Sequence, residues 1–490
     1  MNIEAMSTNQ RISFLLKDTS IYGISIALSK STSLILLPII SYNLSPEDYG
    51  IIDFFQVIMQ TLAILVVFGI ESAVARYFYE LNSQRDRVEL ISQSFFLQFL
   101  FILIYICLVG VSYKFIDTFL LDITKSKILL PIILFQVPFM AVLNFCTSIL
   151  KWTFSRKKFL ILSIGLTLFN FILIVVLSTL SNLTIENFFA VSLFSYCFYS
   201  LMGIFFIKDW LVIPREYQWV KKLISYSFPL LILSLLNMSL PLIERTFIYS
   251  YIGTHEMGLF AISAKMGVII MTFITAFQTS WGPFSLSLYK NASSIHTYNL
   301  VLKSFIICIF LIIIICIWLT PHLIDFFFAE GYTTNRNLLS IIFFGLGING
   351  IGSILLLGIS ISNKTSYSLY SYVISILIGI IFMKLTLENY GIYGVAVGTL
   401  IGVICRSLLN YYFSQKLHPI DWDFFPIIKF ILLILSVNIL ILNISITQVF
   451  LVDIFFIFII FLTAFSGWKF LLNKDEKINI IEWLSNNAKK

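Results

Sequence analysis

Charge is scarce in this 490-residue sequence: Asp, Glu, Lys and Arg make up 12%, about half the share of an ordinary soluble domain. Long polar stretches are missing too. The longest run over 209–222 and 473–490, too short to enclose a core of their own, which excludes a soluble catalytic domain. The six cysteines (Cys107, Cys146, Cys197, Cys308, Cys316, Cys405) all fall in apolar runs, with no CxxC or Cys/His cluster. Neither a disulfide framework nor a metal site is expected from them. The four histidines (His255, His296, His322, His418) are scattered over loops and helix ends and are read as structural. No P-loop, GxSxG, HExxH or paired-carboxylate signature occurs, so neither an ATP-driven pump nor a hydrolase is indicated, and no cofactor is expected.

What fills the chain instead is apolar sequence. Hydrophobic residues make up 59% and the mean hydropathy is +0.95. A membrane-spanning helix needs about 20 mostly apolar residues, and about fourteen such runs can be marked with a sliding window. They cover 18–42, 49–70, 90–112, 128–149, 159–180, 188–207, 223–249, 257–281, 300–320, 338–360, 366–387, 392–413, 426–446 and 449–472. The first 17 residues are polar and no small-residue cleavage pattern follows the first run, so that run is expected to remain as a helix. The expected class is an all-α polytopic membrane protein. The net charge of +7 does not point to nucleic acid, because its distribution follows topology. With the N-terminus inside and span bounds good to about 2–4 residues, 23 of the 32 basic residues fall on cytoplasmic segments and five outside (Lys114, Lys125, Lys127, Arg336, Lys384). This positive-inside bias places both termini in the cytoplasm.

The segment 209–222 interleaves Trp210, Tyr217 and Trp219 with Arg215, Lys221 and Lys222, the pattern of an amphipathic elbow on a membrane surface. It is read as the link between an N-lobe (1–208, spans 1–6) and a C-lobe (223–415, spans 7–12). Spans 13 and 14 and the tail (416–490) form an appendix. A weak internal repeat agrees: SYNLSPEDYG (41–50) after span 1 and SYIGTHEMG (250–258) after span 7 share the Ser-Tyr start, a Glu and the final Gly. A repeat six spans apart keeps its orientation, so the expected architecture is two parallel six-helix lobes around a central cavity.

Ionisable groups inside spans are costly and mark function by default. Span 1 sets Tyr22, Ser25, Ser29 and Ser33 on one face with Lys30 at its edge, about twelve residues, or roughly 18 Å, from either end. Span 2 aligns Tyr49, Asp53, Gln56 and Gln60. Span 7 carries Ser227, Ser234, Asn237, Pro241 and Glu244 on one stripe with Arg245 beside it; Lys265 lies in span 8 and Arg406 in span 12. Four intramembrane cations outweigh the deep carboxylates, and a net-positive pocket in a low-dielectric wall attracts an anion such as a phosphate or diphosphate. Lys30, Arg245, Lys265 and Arg406 are therefore the candidate diphosphate-binding residues. Asp53, Gln56, Gln60, Asn237 and Glu244 are the candidate coupling or cavity-lining polar residues.

Three stretches carry a family resemblance. LLPIISYNLSPEDYGIIDFFQ followed by FGIESAVARYFYE, then LPLIERTFIYSYIGTHEMGLFAISAKM with its Glu244-Arg245 pair, and YGIYGVAVGTLIG (390–402) together resemble the bacterial polysaccharide-export and O-antigen flippases. These belong to the multidrug/oligosaccharidyl-lipid/polysaccharide exporter superfamily. Gly258-Leu259-Phe260 departs from the usual Gly-x-Tyr of that family. The resemblance implies twelve to fourteen helices in two lobes and alternating access. It implies a bacterial inner-membrane protein that flips undecaprenyl-diphosphate-linked oligosaccharide to the periplasmic face, with membrane lipid and other polysaccharide-assembly membrane proteins as partners and no nucleic acid. Two alternatives carry less of the sequence. An ion-coupled drug/cation antiporter would want carboxylates deep in its pocket, where this chain has a lysine. A membrane glycan polymerase would want a long external loop, and the longest here covers only 321–337.

Overall fold

The computed structural model describes residues 25, 28–81, 83–124, 126–180, 182–214, 216–289, 294–362, 364–443, 449–474, 476 and 477; Tyr22 of the span 1 stripe lies outside them. These residues are helical almost throughout, and no strand occurs among them. The first helix, α1, covers Leu28–Ser41. It is followed by α2 (Pro46–Val67), α3 (Ile70–Phe78), α4 (Gln84–Thr124), α5 (Leu129–Trp152), α6 (Arg156–Leu180), α7 (Ile185–Ile207) and α8 (Val220–Tyr251). Then come α9 (Thr254–Met266), α10 (Val268–Leu288), α11 (Ser294–Phe327), α12 (Arg336–Leu355), α13 (Leu357–Ile361), α14 (Ser366–Tyr390), α15 (Ile392–Leu417), α16 (Phe424–Asn443) and α17 (Val449–Ser466). Among the described residues twelve helical stretches, α9–α10 and α12–α13 counted as one each, are long and apolar enough to cross a membrane. Two shorter apolar helices, Leu28–Ser41 and Phe424–Ile434, stand where spans 1 and 13 were expected. Among the described residues the apolar runs are helical almost throughout, as they must be where no water is present to satisfy backbone groups.

By its contacts the chain divides into two compact units, 1–258 and 259–490. The elbow segment at 209–222 and the long helix α8 lie within the first. In that unit, local chemistry fixes the start and end of α2. Ser45 caps it, with Asp48 N–H on the Ser45 hydroxyl (3.2 Å) and the Asp48 carboxylate on Ser45 N–H (3.2 Å), a capping box completed by Pro46 in the first turn. It stops at Phe68 (φ 56°) and Gly69 (φ 72°), both left-handed, a helix-ending conformation that costs least at glycine. The Gln98 amide donates to the Val66 carbonyl (2.7 Å) and the Ser227 hydroxyl to the Gly69 carbonyl (3.1 Å), so the freed ends are satisfied inside the unit. The short α3 was not anticipated as a separate helix. Its Ile70, Ala73 and Val74 are fully buried, packed in one cluster with Leu90, Ile149 and Leu162.

The turns that look repeated meet in space. A Cβ on Gly50 would stand 2.7 Å from Gly258 N, and one on Gly258 would stand 1.8 Å from the Pro46 carbonyl oxygen. The aligned glycines are where the starts of α2 and α9 touch backbone to backbone. In the second unit the tight pair is α14 with α15. Gly394, Gly398 and Gly402, four residues apart, lie against Thr386, Met383 and Ser375, the small-residue spacing that lets helices in lipid approach closely. The YGIYGVAVGTLIG stretch is therefore a packing seam.

Candidate functional site

Three of the candidate residues converge in the first unit. The Arg245 Nε donates to Asp53 Oδ2 (2.9 Å) and its Nη1 to Glu244 Oε2 (2.6 Å); the three residues are between 5% and 8% exposed. Asp53 reaches the guanidinium because α2 and α8 pack together. Two carboxylates share one guanidinium, so Arg245 is not a bare cation offered to an anion. The group is a buried, charge-satisfied clamp between two helices.

One turn further along α2 the face opens onto a different environment. Gln56 and Gln60 line a cavity of about 210 Å³, together with Gln136 of α5 and Asn170 of α6. The span 1 stripe splits in the same way. The Ser25 hydroxyl is paired with Ser163 (2.7 Å) and Ser29 accepts from Thr167 (3.2 Å), which seats α1 on α6, while Ser33 reaches the cavity. Lys30, at the edge of that stripe, is half-buried. Asn237 is exposed on α8, its amide on the Leu233 carbonyl (3.2 Å).

The second unit holds the remaining two. Lys265 is half-buried in the last turn of α9, just before the break at Gly267. The break is held by packing: a Cβ at Gly267 would stand 2.6 Å from Leu346 Cδ1. Arg406, on α15, is 7% exposed and lies fourteen residues beyond Ile392, roughly 21 Å along the helix. It donates to the Asn349 side-chain oxygen of α12 and its guanidinium lies over the Tyr372 ring of α14 (4.5 Å to the centroid). Both of those neighbours are half-buried, so the guanidinium lies just beneath the surface of the unit. Among the described residues no carboxylate pairs with it. Of the four candidate cations Arg406 is the most deeply buried without a counter-charge, and it keeps donors to spare for a bidentate anion.

Two charged clusters escaped the sequence reading. The Lys303 ammonium, 1% exposed, is held by Asp423 (2.9 Å) and Glu476 (3.1 Å). Asn299 donates to the Asp421 carbonyl (2.8 Å) and accepts from Asp423 N–H (2.8 Å). The segment just before α16 and the segment after α17 are thereby fastened to α11. Nothing local in the sequence marks Lys303, because its partners are 120 and 173 positions away. In the second cluster, Asp453 Oδ1 accepts from Trp318 Nε1 and faces His322 Nε2, both at 2.9 Å. His322 and Trp318 are four apart on α11, a spacing that marks a shared face, but nothing in sequence singles out Asp453 as the partner. No group of three or more His, Cys, Asp or Glu among the described residues is arranged to hold a metal ion.

With this geometry in view, comparison with known proteins is informative. A family model described as "Polysaccharide biosynthesis protein" matches residues 15–287. Among solved structures, the chain is similar to the lipid II flippase MurJ in an inward closed conformation, at 20% identity and a TM-score of 0.67, over 92% of this chain and 99% of that one. It is also similar to an inward-facing multidrug resistance MATE family transporter of the MOP superfamily, at 13% identity and a TM-score of 0.65, over 80% and 97%. At these identities the likeness is one of fold. An uncharacterized membrane protein of Haemophilus influenzae is 37% identical over 65 residues, 13% of this chain and 16% of that relative's length.

Proposed function

We propose, for a chain that belongs to the polysaccharide biosynthesis protein family, that it is a flippase moving undecaprenyl-diphosphate-linked oligosaccharide of the O-antigen type across the bacterial inner membrane by alternating access. The observation that carries this reading is Arg406, a guanidinium buried in a membrane-length helix with an amide and an aromatic ring for company and no carboxylate among the described residues. A buried charge without a counter-ion is costly, and a planar guanidinium with free donors suits an oxygen-rich diphosphate. Asn349 and Tyr372 hold the fork in place while an anion takes up the remaining N–H groups. Lys265, half-buried in the same unit, adds a further positive charge. Arg245 has a different part: tied to Asp53 and Glu244, it holds α2 to α8 and leaves the substrate charge to the others.

The fold likeness to MurJ, named a lipid II flippase, supports a lipid-linked cargo, and the likeness to MATE transporters supports a moving-helix carrier. A cation antiporter would need unpaired deep carboxylates, and Asp53 and Glu244 are both engaged by Arg245. The test is a flipping assay in proteoliposomes with fluorescent undecaprenyl-diphosphate-linked oligosaccharide. The wild-type chain is expected to expose the labelled glycan to external quencher, and Arg406→Gln to lose that activity while still inserting and folding. Full activity in Arg406→Gln would refute the assignment.

A further inference from the structure

We propose that the cavity ringed by Gln56, Gln60, Gln136 and Asn170 in the first unit binds one uncharged pyranose ring of the glycan. The inference rests on the reading of the chain as a glycan-lipid flippase and adds which part of the cargo this unit recognises.

The cavity's size fits one ring. Its volume is about 210 Å³, room for roughly seven waters at about 30 Å³ each or for a single hexose. Its chemistry is also specific. Four side-chain amides from α2, α5 and α6 face it, each offering donors and an acceptor, and Thr32 and Ser192 add hydroxyls. Sugar hydroxyls likewise both donate and accept, so amides match them in either sense. Phe171, Phe189 and Tyr196 supply apolar walls of the kind on which the C–H faces of a pyranose rest, so that apolar surface and convergent polar groups line the cavity together. Among the described residues that line it none is charged. A uronic acid or phosphosugar would enter without a counter-charge and lose its hydration, so the cavity selects neutral sugars.

Gln136 indicates that the site is built for a visitor. It is 2% exposed, yet its Oε1 accepts no hydrogen bond, and its Nε2 has only the Met140 sulfur at 4.0 Å. Buried amides normally find partners within the protein. Here an acceptor and a donor remain open at a cavity wall, whereas the nearby hydroxyls of Ser25, Ser163 and Thr167 are all engaged.

The experiment uses saturation-transfer NMR on the full chain in detergent micelles, with the methyl glycosides of glucose, N-acetylglucosamine and glucuronic acid as probes. Transfer is expected to at least one of the two neutral glycosides, with glucuronide weaker by about tenfold. Gln136→Leu should abolish that transfer. Gln60→Leu, at a side chain already exposed, should weaken it even if Gln136→Leu fails to fold. No transfer to either neutral glycoside, equal transfer to glucuronide, or signals unchanged in both variants would overturn the proposal and leave the cavity to water. The two readings separate cleanly. Sugar binding without flipping of lipid-linked glycan sinks the flippase assignment alone, and flipping without sugar binding sinks the cavity assignment alone.

Discussion

Arg245 and Arg406 are both buried guanidinium groups in apolar helices, and their neighbours give them opposite parts. Removing Arg245 strands two carboxylates, so Arg245→Leu is expected to destabilise the protein by about 3–5 kcal/mol. Asp53→Asn leaves a one-to-one pair with Glu244 and should cost clearly less. Thermal unfolding in detergent orders the two, and equal losses would contradict the shared-cation picture. Glu71, outside the spans on α3, has its carboxyl raised above the ordinary 4.5 by burial, partly offset by a hydrogen bond to its own backbone and by Lys151. A carboxyl raised on folding favours the folded state most below pH 4.5, and that contribution is lost as pH rises through the folded-state pKa. Glu71→Gln should therefore raise the melting temperature at pH 7 and flatten its fall between acidic and neutral pH; an unchanged pH profile would contradict this. At this scale the sequence was legible in part. Spacing put Asp53, Gln56 and Gln60 on one face, and it did so correctly. It could not show that one turn of α2 separates a salt-bridged carboxylate from a neutral cavity, because that depends on α8 and α5, which pack on it from far along the chain.

Helix packing in this protein rests on backbone contact at glycine. A side chain at Gly258 would overlap the Pro46 carbonyl, whereas one at Gly110 of α4 meets nothing within 4 Å. Gly258→Ala should destabilise by about 1–3 kcal/mol, and Gly110→Ala should stabilise by about 0.5–1 kcal/mol through helix propensity; matching shifts in melting temperature would refute the contact. The segment after α17 is fixed by the Lys303–Glu476 pair, so Lys303→Met should leave Glu476 buried and uncompensated, at a cost of about 3–5 kcal/mol. Limited proteolysis should then release the C-terminal tail first. Helix existence was readable from hydropathy almost everywhere, since lipid permits little else. Helix ends were not. α4 and α11 run to 41 and 34 residues, past their apolar runs, and the breaks at Gly267 and Leu356 have no hydropathy signature.

For the whole molecule, membrane class and family were contained in the sequence. The superfamily likeness read from three diffuse stretches agrees with a family match over residues 15–287 and with a fold shared with MurJ and MATE structures. Depth along a span draws attention to Lys30 in the sequence, whereas burial, a three-dimensional property, sets Arg406 apart from Lys30 and Lys265. The most direct measurement is equilibrium binding of undecaprenyl diphosphate and of undecaprenol to the purified chain in nanodiscs, wild type against Arg406→Gln. The account predicts that wild type prefers the diphosphate by about ten- to a hundredfold, the worth of one charge-assisted hydrogen bond, and that the substitution erases the preference. An undiminished preference in Arg406→Gln would contradict it.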